Sequence, residues 1–176
     1  MCSMRRPRHI VEEGRYHLIA RANRGEFILE SDDVKRLFLE TLKRAKTRYS
    51  FDIEMFCIMD NHVHMVVKVA RGESLSRLMQ WLLSVFAIRF NRTHELKGHV
   101  WYDRFKSYVL ASIRQYQAKL QYVMDNPVRA GMVKRREDYR WTGFHWWKKA
   151  GQTLMKPPDE LFKSWFPELV PAQPTA

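Results

Sequence analysis

Cysteine is nearly missing from this sequence. Only Cys2, at the start, and Cys57, inside an apolar run, occur. Two such residues make neither a disulfide framework nor the paired spacing of a zinc finger, and a reduced, cytosolic protein is expected. Long apolar runs are missing too. No stretch approaches the ~20 uncharged apolar residues that a membrane span needs. The basic opening MCSMRRPRHI lacks the apolar segment of a secretory signal. There is no internal repeat, no low-complexity block and no Gly-rich P-loop. Acidic residues are scarce: 19 against 31 basic ones, a net charge of +12 and a pI near 10.0. That excess goes beyond what solubility requires and suits a polyanionic partner, because each neutralised phosphate releases counterions. Charge alone does not separate DNA from RNA or an anionic membrane surface, and a generically basic surface is the plain alternative.

The 176 residues, 45% of them hydrophobic, suffice for one ordinary domain with a proper core. Gly14 to Arg21 (GRYHLIAR) alternates in part and reads as a strand, followed by a loop at 22–25. Ser31-Asp32-Asp33 offers N-cap residues. Val34, Leu37, Phe38, Thr41, Leu42 and Ala45 then recur at helical spacing, giving a helix over about 32–49. Phe51 to Ile58 and His62 to Val69 read as two strands of a hairpin turned at Met59-Asp60-Asn61. Ser74 caps a helix whose buried stripe runs from Leu75 to Phe90. GHVWYDRFKSYVL (98–110) has the content of a strand or bent pair of strands. A helix over about 112–126, ended by Pro127, follows. The order β-α-β-β-α-β-α is that of an α+β, ferredoxin-like fold, an antiparallel sheet with helices on one face. After Gly131 the chain becomes a mixture of basic and aromatic residues, so 1–133 is expected to form the main domain and 134–176 an extension packed on it with a loose tail.

One motif carries chemistry. In NHVHMVV (61–67), strand alternation points His62 and His64 the same way, with Val63 turned from them. Two neutral imidazoles so placed can grip one divalent cation; the plainer reading is a pair of packing or surface histidines. A barrel amidohydrolase needs a much longer chain, and the further ligands of metallo-β-lactamase-like enzymes do not follow. On the last helix, at ~100° per residue, Ile113, Tyr116, Leu120, Val123 and Met124 share a stripe. Tyr122 lies roughly opposite, with Asn126 one turn later on its face. By position alone the plainer reading is an exposed or second-layer tyrosine and an Asn at a helix end.

Taken together, YHLIARANRG (16–25), FCIMDNHVHMVV (56–67), GHVWYDRFKS (98–107) and YVMDNPVRAGMV (122–133) are similar to the landmarks of REP-associated tyrosine transposases. These form a branch of the single-tyrosine HUH transposases of IS200-like type, named for their His-hydrophobic-His pair. The resemblance runs from about Arg8 to Trp141 and implies the HUH endonuclease fold. It places the metal histidines on His62 and His64, the nucleophile on Tyr122 and a third, amide ligand on Asn126, with Tyr116 as the competing nucleophile. It also implies Mg²⁺ or Mn²⁺, a 5′-phosphotyrosine intermediate, and a single-stranded or hairpin DNA substrate of REP type carrying a tetranucleotide guide.

Arg21, Arg24, Arg104, Lys106 and Arg129 lie near these landmarks and are expected to meet phosphates, although any one of them could be solvated surface charge. The segment 134–149 could stack unpaired bases, but its tryptophans are expected to pack that segment onto the domain. No membrane partner is expected. A cytoplasmic protein associated with the bacterial nucleoid is, with monomer and homodimer both open. Two other functions fit parts of the pattern: a nicking enzyme of replication-initiator type, and a non-catalytic nucleic-acid binder. The second would be expected to carry RNP-type sheet aromatics, which the sequence lacks.

Overall fold

The computed structural model describes residues 11–147 and 154–167. The basic arm at 1–10, the lysines at 148 and 149 and the tail beyond Pro167 lie outside the described residues. Four strands, β1 (Arg15–Arg21), β2 (Phe51–Ile58), β3 (His62–Val69) and β4 (Lys106–Val109), form one antiparallel sheet in the order β2-β3-β1-β4. The long helices are α1 (Asp32–Arg48), α2 (Leu75–Thr93) and α3 (Ile113–Arg129). Two short ones, α4 (Gly143–Trp147) and α5 (Glu160–Trp165), follow. This is the ferredoxin-like order expected from the sequence. Among the described residues no helix is long and apolar enough to cross a membrane.

Local signals set the helix starts. The Ser31, Ser74 and Ser112 side chains accept from the N–H groups of Val34, Arg77 and Gln115, each satisfying a donor the helix leaves unpaired. α1 and α2 pack together through Phe38 and Phe86, with ring centroids 5.4 Å apart.

The sheet is buried on both faces. One face carries Tyr16, Leu18, Val63, Met65 and Val67, all at most 1% exposed, and covers the apolar stripes of α1 and α2. The alternate residues, His17 and His64 among them, face α3. Two-sided burial explains why β2 and β3 read as nearly continuous apolar runs.

The hairpin turn is pinned from below. The buried Lys35 ammonium reaches the Asp60 carboxylate at 2.6 Å and the Glu30 carbonyl at 2.8 Å. A buried ammonium needs such partners.

The region after Gly131 joins the same core. Tyr139 donates to the Ile58 carbonyl at 2.7 Å. Its burial pushes the phenol pKa up. Trp141, Phe144, Leu154, Met155, Phe162 and Phe166 are buried. Trp146 and Trp147 are half-buried against the same core. Backbone bonds from Ile58 N–H to the Trp141 carbonyl (3.0 Å) and from Lys156 N–H to the Ile53 carbonyl (2.9 Å) line the outer edge of β2.

Three expectations are corrected. First, the segment 98–110 supplies only one short strand, Lys106–Val109. Upstream, Trp101 makes a single bridge to Ala22 and donates its indole N–H to the Leu83 carbonyl, anchoring a loop against α2. Second, Ile113 is 65% exposed, because at the first turn the stripe has not yet reached the sheet. Third, Pro127 does not end the last helix, which runs on to Arg129. Proline removes one N–H and so leaves only the Val123 carbonyl without its helical donor. The stop is at Gly131, which takes φ +69°. There Gly131 N–H bonds the Val128 carbonyl and Met132 N–H bonds the Pro127 carbonyl, the paired closure of a Schellman motif.

Candidate active site

The site is built where β3, β1 and α3 meet. β3 presents His62 and His64 side by side, with ring centroids 4.8 Å apart and planes nearly perpendicular at 84°. Cross-strand pairing sets His64 opposite Ile19 and His62 opposite Arg21. α3 lays the Tyr122 ring edge-on to His64 at 5.5 Å and to His17 at 6.0 Å. One chain thus brings together the paired histidines and Tyr122. The competing Tyr116 sits elsewhere on α3, 6% exposed, under the Arg15 guanidinium at 4.7 Å and beside Trp165. Burial and the nearby Glu54 carboxylate push its phenol pKa up.

The imidazoles are held neutral. Burial first, then the Arg21 charge, lowers His62 to about 4. Burial, then His62 and His17, lowers His64 to about 2. His17 falls to about 4, through burial and then Lys119. Neutral imidazole is the metal-binding form.

The donor set also fits a cation. The Nδ1 atom of His62 lies 2.6 Å from the Asn61 side-chain oxygen, and Nδ1 of His64 lies 2.9 Å from His17 Nε2. Among the described residues neither Nε2 atom has a hydrogen-bond partner, and partners on the second nitrogen are what orient metal histidines. Among the described residues no third His, Cys, Asp or Glu completes a cluster with this pair, so amide or water oxygen would fill the remaining positions. Asn126 is 9% exposed, and its Nδ2 donates to the Tyr122 carbonyl at 2.8 Å. It lies within α3, and its Oδ1 has no hydrogen-bond partner among the described residues.

The five expected phosphate contacts divide. Arg129 stands over the Tyr122 ring at 5.5 Å. Arg21 and Arg24 line a hollow of about 210 Å³ with Asn61 and the 72%-exposed Tyr102. Lys106 pairs with Ile19 on β1, two residues from the Tyr108 ring that stacks on His17 at 5.9 Å. Arg104 lies apart, in a hollow against Ser76, Gln80 and Leu83 of α2. Sequence reasoning missed Lys119, whose ammonium sits 4.8 Å over the Tyr122 ring; its position one turn before the tyrosine on α3 was the available signal. It also missed His17 and Asn61, although both lie inside the quoted landmarks.

The chain is 24% identical over 102 residues to the REP-associated tyrosine transposase of Escherichia coli, covering 58% of this chain and 59% of that protein. It is 21% identical over 118 residues to a Haemophilus influenzae protein carrying the same family name, covering 61% and 67%. The match to the E. coli relative thus spans less than two thirds of its length. Among solved structures, a REP-associated tyrosine transposase bound to a REP hairpin superposes with a TM-score of 0.71 at 19% identity, over 88% of this chain and 92% of that one; at that identity the likeness is one of fold. Residues 10–126 match the family model described as transposase, IS200-like, two thirds of the sequence and all of the paired-histidine site, and the chain belongs to that family.

Proposed function

We propose that this protein is a metal-dependent tyrosine transposase that cleaves and rejoins single-stranded DNA. The observation that carries the proposal is the meeting, within one chain, of Tyr122 with a pair of neutral histidines whose Nε2 atoms have no partner among the described residues. His62 and His64, with Asn126 as the candidate amide ligand, would hold Mg²⁺ or Mn²⁺. Such an ion supplies Lewis-acid polarisation of a phosphate oxygen.

The chain's own groups do the rest. The Tyr122 oxygen attacks phosphorus, an O–P bond forms and the bond to the 3′ oxygen breaks. The phenol proton leaves to water and the departing 3′ oxygen takes one up. The product is a 5′-phosphotyrosine and a free 3′-OH. Attack by a second 3′-OH reverses the step and conserves the phosphodiester, so no nucleotide cofactor is needed. Lys119 and Arg129 flank the Tyr122 ring and are placed to neutralise the phosphate as it becomes attached. Arg21 and Arg24 would track the strand leading to His62, with Tyr102 as a stacking surface for an unpaired base.

The substrate proposed is a hairpin of REP type, as in the structural relative, and the place of action the bacterial nucleoid in the cytoplasm. The test incubates the protein with a single-stranded hairpin oligonucleotide and Mn²⁺ and looks for a covalent adduct on a denaturing gel. The adduct should vanish in Tyr122→Phe and in the double variant His62→Ala, His64→Ala. Persistence in the first overturns the nucleophile; persistence in the second overturns the metal site. Cleavage without joining to an added 3′-OH strand would identify a nicking enzyme instead, and binding without an adduct a non-catalytic binder.

A further inference from the structure

His17 is an imidazole where packing alone would be served by an aliphatic side chain. It is 1% exposed, in the middle of β1, between the rings of Tyr108 and Tyr122. Its Nε2 meets His64 Nδ1 at 2.9 Å. Its own Nδ1 is buried with no partner among the described residues. A polar atom kept unsatisfied in a core calls for a reason. The contact between the two rings supplies one. Two neutral imidazoles facing each other nitrogen to nitrogen share one proton. If it sits on His17 Nε2, His64 must carry its proton on Nε2, and that nitrogen has no lone pair for a cation. If it sits on His64 Nδ1, His17 accepts, and His64 Nε2 is left as a donor atom to metal. His62 is arranged the same way by a different group: its Nδ1 has only the Asn61 side-chain oxygen, an obligate acceptor, beside it.

We propose that His17 is a positioning residue of the metal pair. It accepts the hydrogen bond from His64 Nδ1–H and thereby fixes His64 in the tautomer whose Nε2 binds a divalent cation. The stacked Tyr108 and the edge of Tyr122 hold the His17 ring in the plane that this bond requires: the His17 and His64 rings are tilted by only 10°. With Nε2 accepting, His17 carries its own proton on Nδ1, the nitrogen that has no partner among the described residues.

This inference rests on the reading of His62 and His64 as metal ligands, and the experiment separates the two. Mn²⁺ binding to the DNA-free protein is measured by electron paramagnetic resonance for the wild type, His17→Met and His17→Gln. The Gln amide oxygen can stand where Nε2 stands and accept; the Met side chain cannot. His17→Met should weaken Mn²⁺ about 10- to 100-fold, with its circular dichroism unchanged, and His17→Gln should restore most of the affinity. In the ¹⁵N spectrum of the Zn²⁺-loaded wild type, His64 should carry its proton on Nδ1. A His17→Met protein that binds Mn²⁺ as the wild type does, or a His17→Gln protein no better than His17→Met, overturns the proposal, as does a proton found on His64 Nε2. A wild type that binds no Mn²⁺ refutes the metal reading itself.

Discussion

Lowering the pH of the metal-free protein from about 7.5 to about 5.0 should cost it a large part of its stability, through His17 and His64. Both are 1% exposed. Their folded pKa values fall to about 4 and about 2, while an unfolded histidine titrates near ~6.5. Below that value the unfolded chain takes up protons that the folded chain refuses. Stability is therefore fully present above about pH 6.5 and declines as pH falls toward the folded pKa values. At about pH 5, each group lies ~1.5 units below its unfolded pKa, worth about 2 kcal/mol, so the two together cost about 4 kcal/mol. Set against a typical total of about 5–15 kcal/mol, that is a loss easily measured. His62 acts in the same direction, with a smaller share because it is partly exposed and screened. Carboxylates titrate mostly below this window. Urea denaturation at the two pH values, with chelator present, measures the difference. His17→Gln, which removes one of the two groups, should lose about 2 kcal/mol less than the wild type. A wild-type stability unchanged between the two pH values would refute the reading of these imidazoles as buried and neutral.

Three further outcomes follow from the geometry. Lys35→Met leaves the Asp60 carboxylate without its 2.6 Å ammonium partner, and should lower stability by about 3 kcal/mol and loosen the turn before His62, as hydrogen exchange at Asn61 would report. Gly131→Ala meets nothing within 4 Å but keeps φ +69°. It should cost about 1 kcal/mol from left-handed strain alone, read as a lowered urea midpoint with unchanged slope. Arg24→Ala should weaken hairpin DNA binding and reduce the slope of log affinity against log salt by about 1, whereas Arg104→Ala, in its separate hollow, should leave that slope unchanged.

Much of this was legible because period and parity are local. His62 and His64 share a face by alternation, and the serine caps at 31, 74 and 112 announce their helices. What was not legible depends on tertiary partners. The 98–105 segment has strand-like composition, yet Trp101 spends its N–H on α2. Pro127 carries a strong local stop signal, but a proline near a helix end removes a single bond, and the glycine four residues later provides the true termination. His17 looked like any strand residue until the fold set it against His64. Arg104 shares a landmark with Lys106 but lines a hollow against α2, whereas Lys106 pairs with β1.

The backbone bonds along β2 bear on where the molecule can be divided. A sheet edge with bare N–H and C=O groups is a template for pairing with another chain. Here one outer strand is matched by Thr142, Trp141 and Lys156, while the opposite one, β4, is only four residues long. A chain cut after Val133 would keep the histidines, Tyr122 and every strand of the sheet. It would also uncover the outer edge of β2 at Ile53, Cys57 and Ile58. Such a fragment should be recovered as aggregates, so the stretch beyond Val133, which holds none of the paired-histidine site, acts as a guard on the sheet edge.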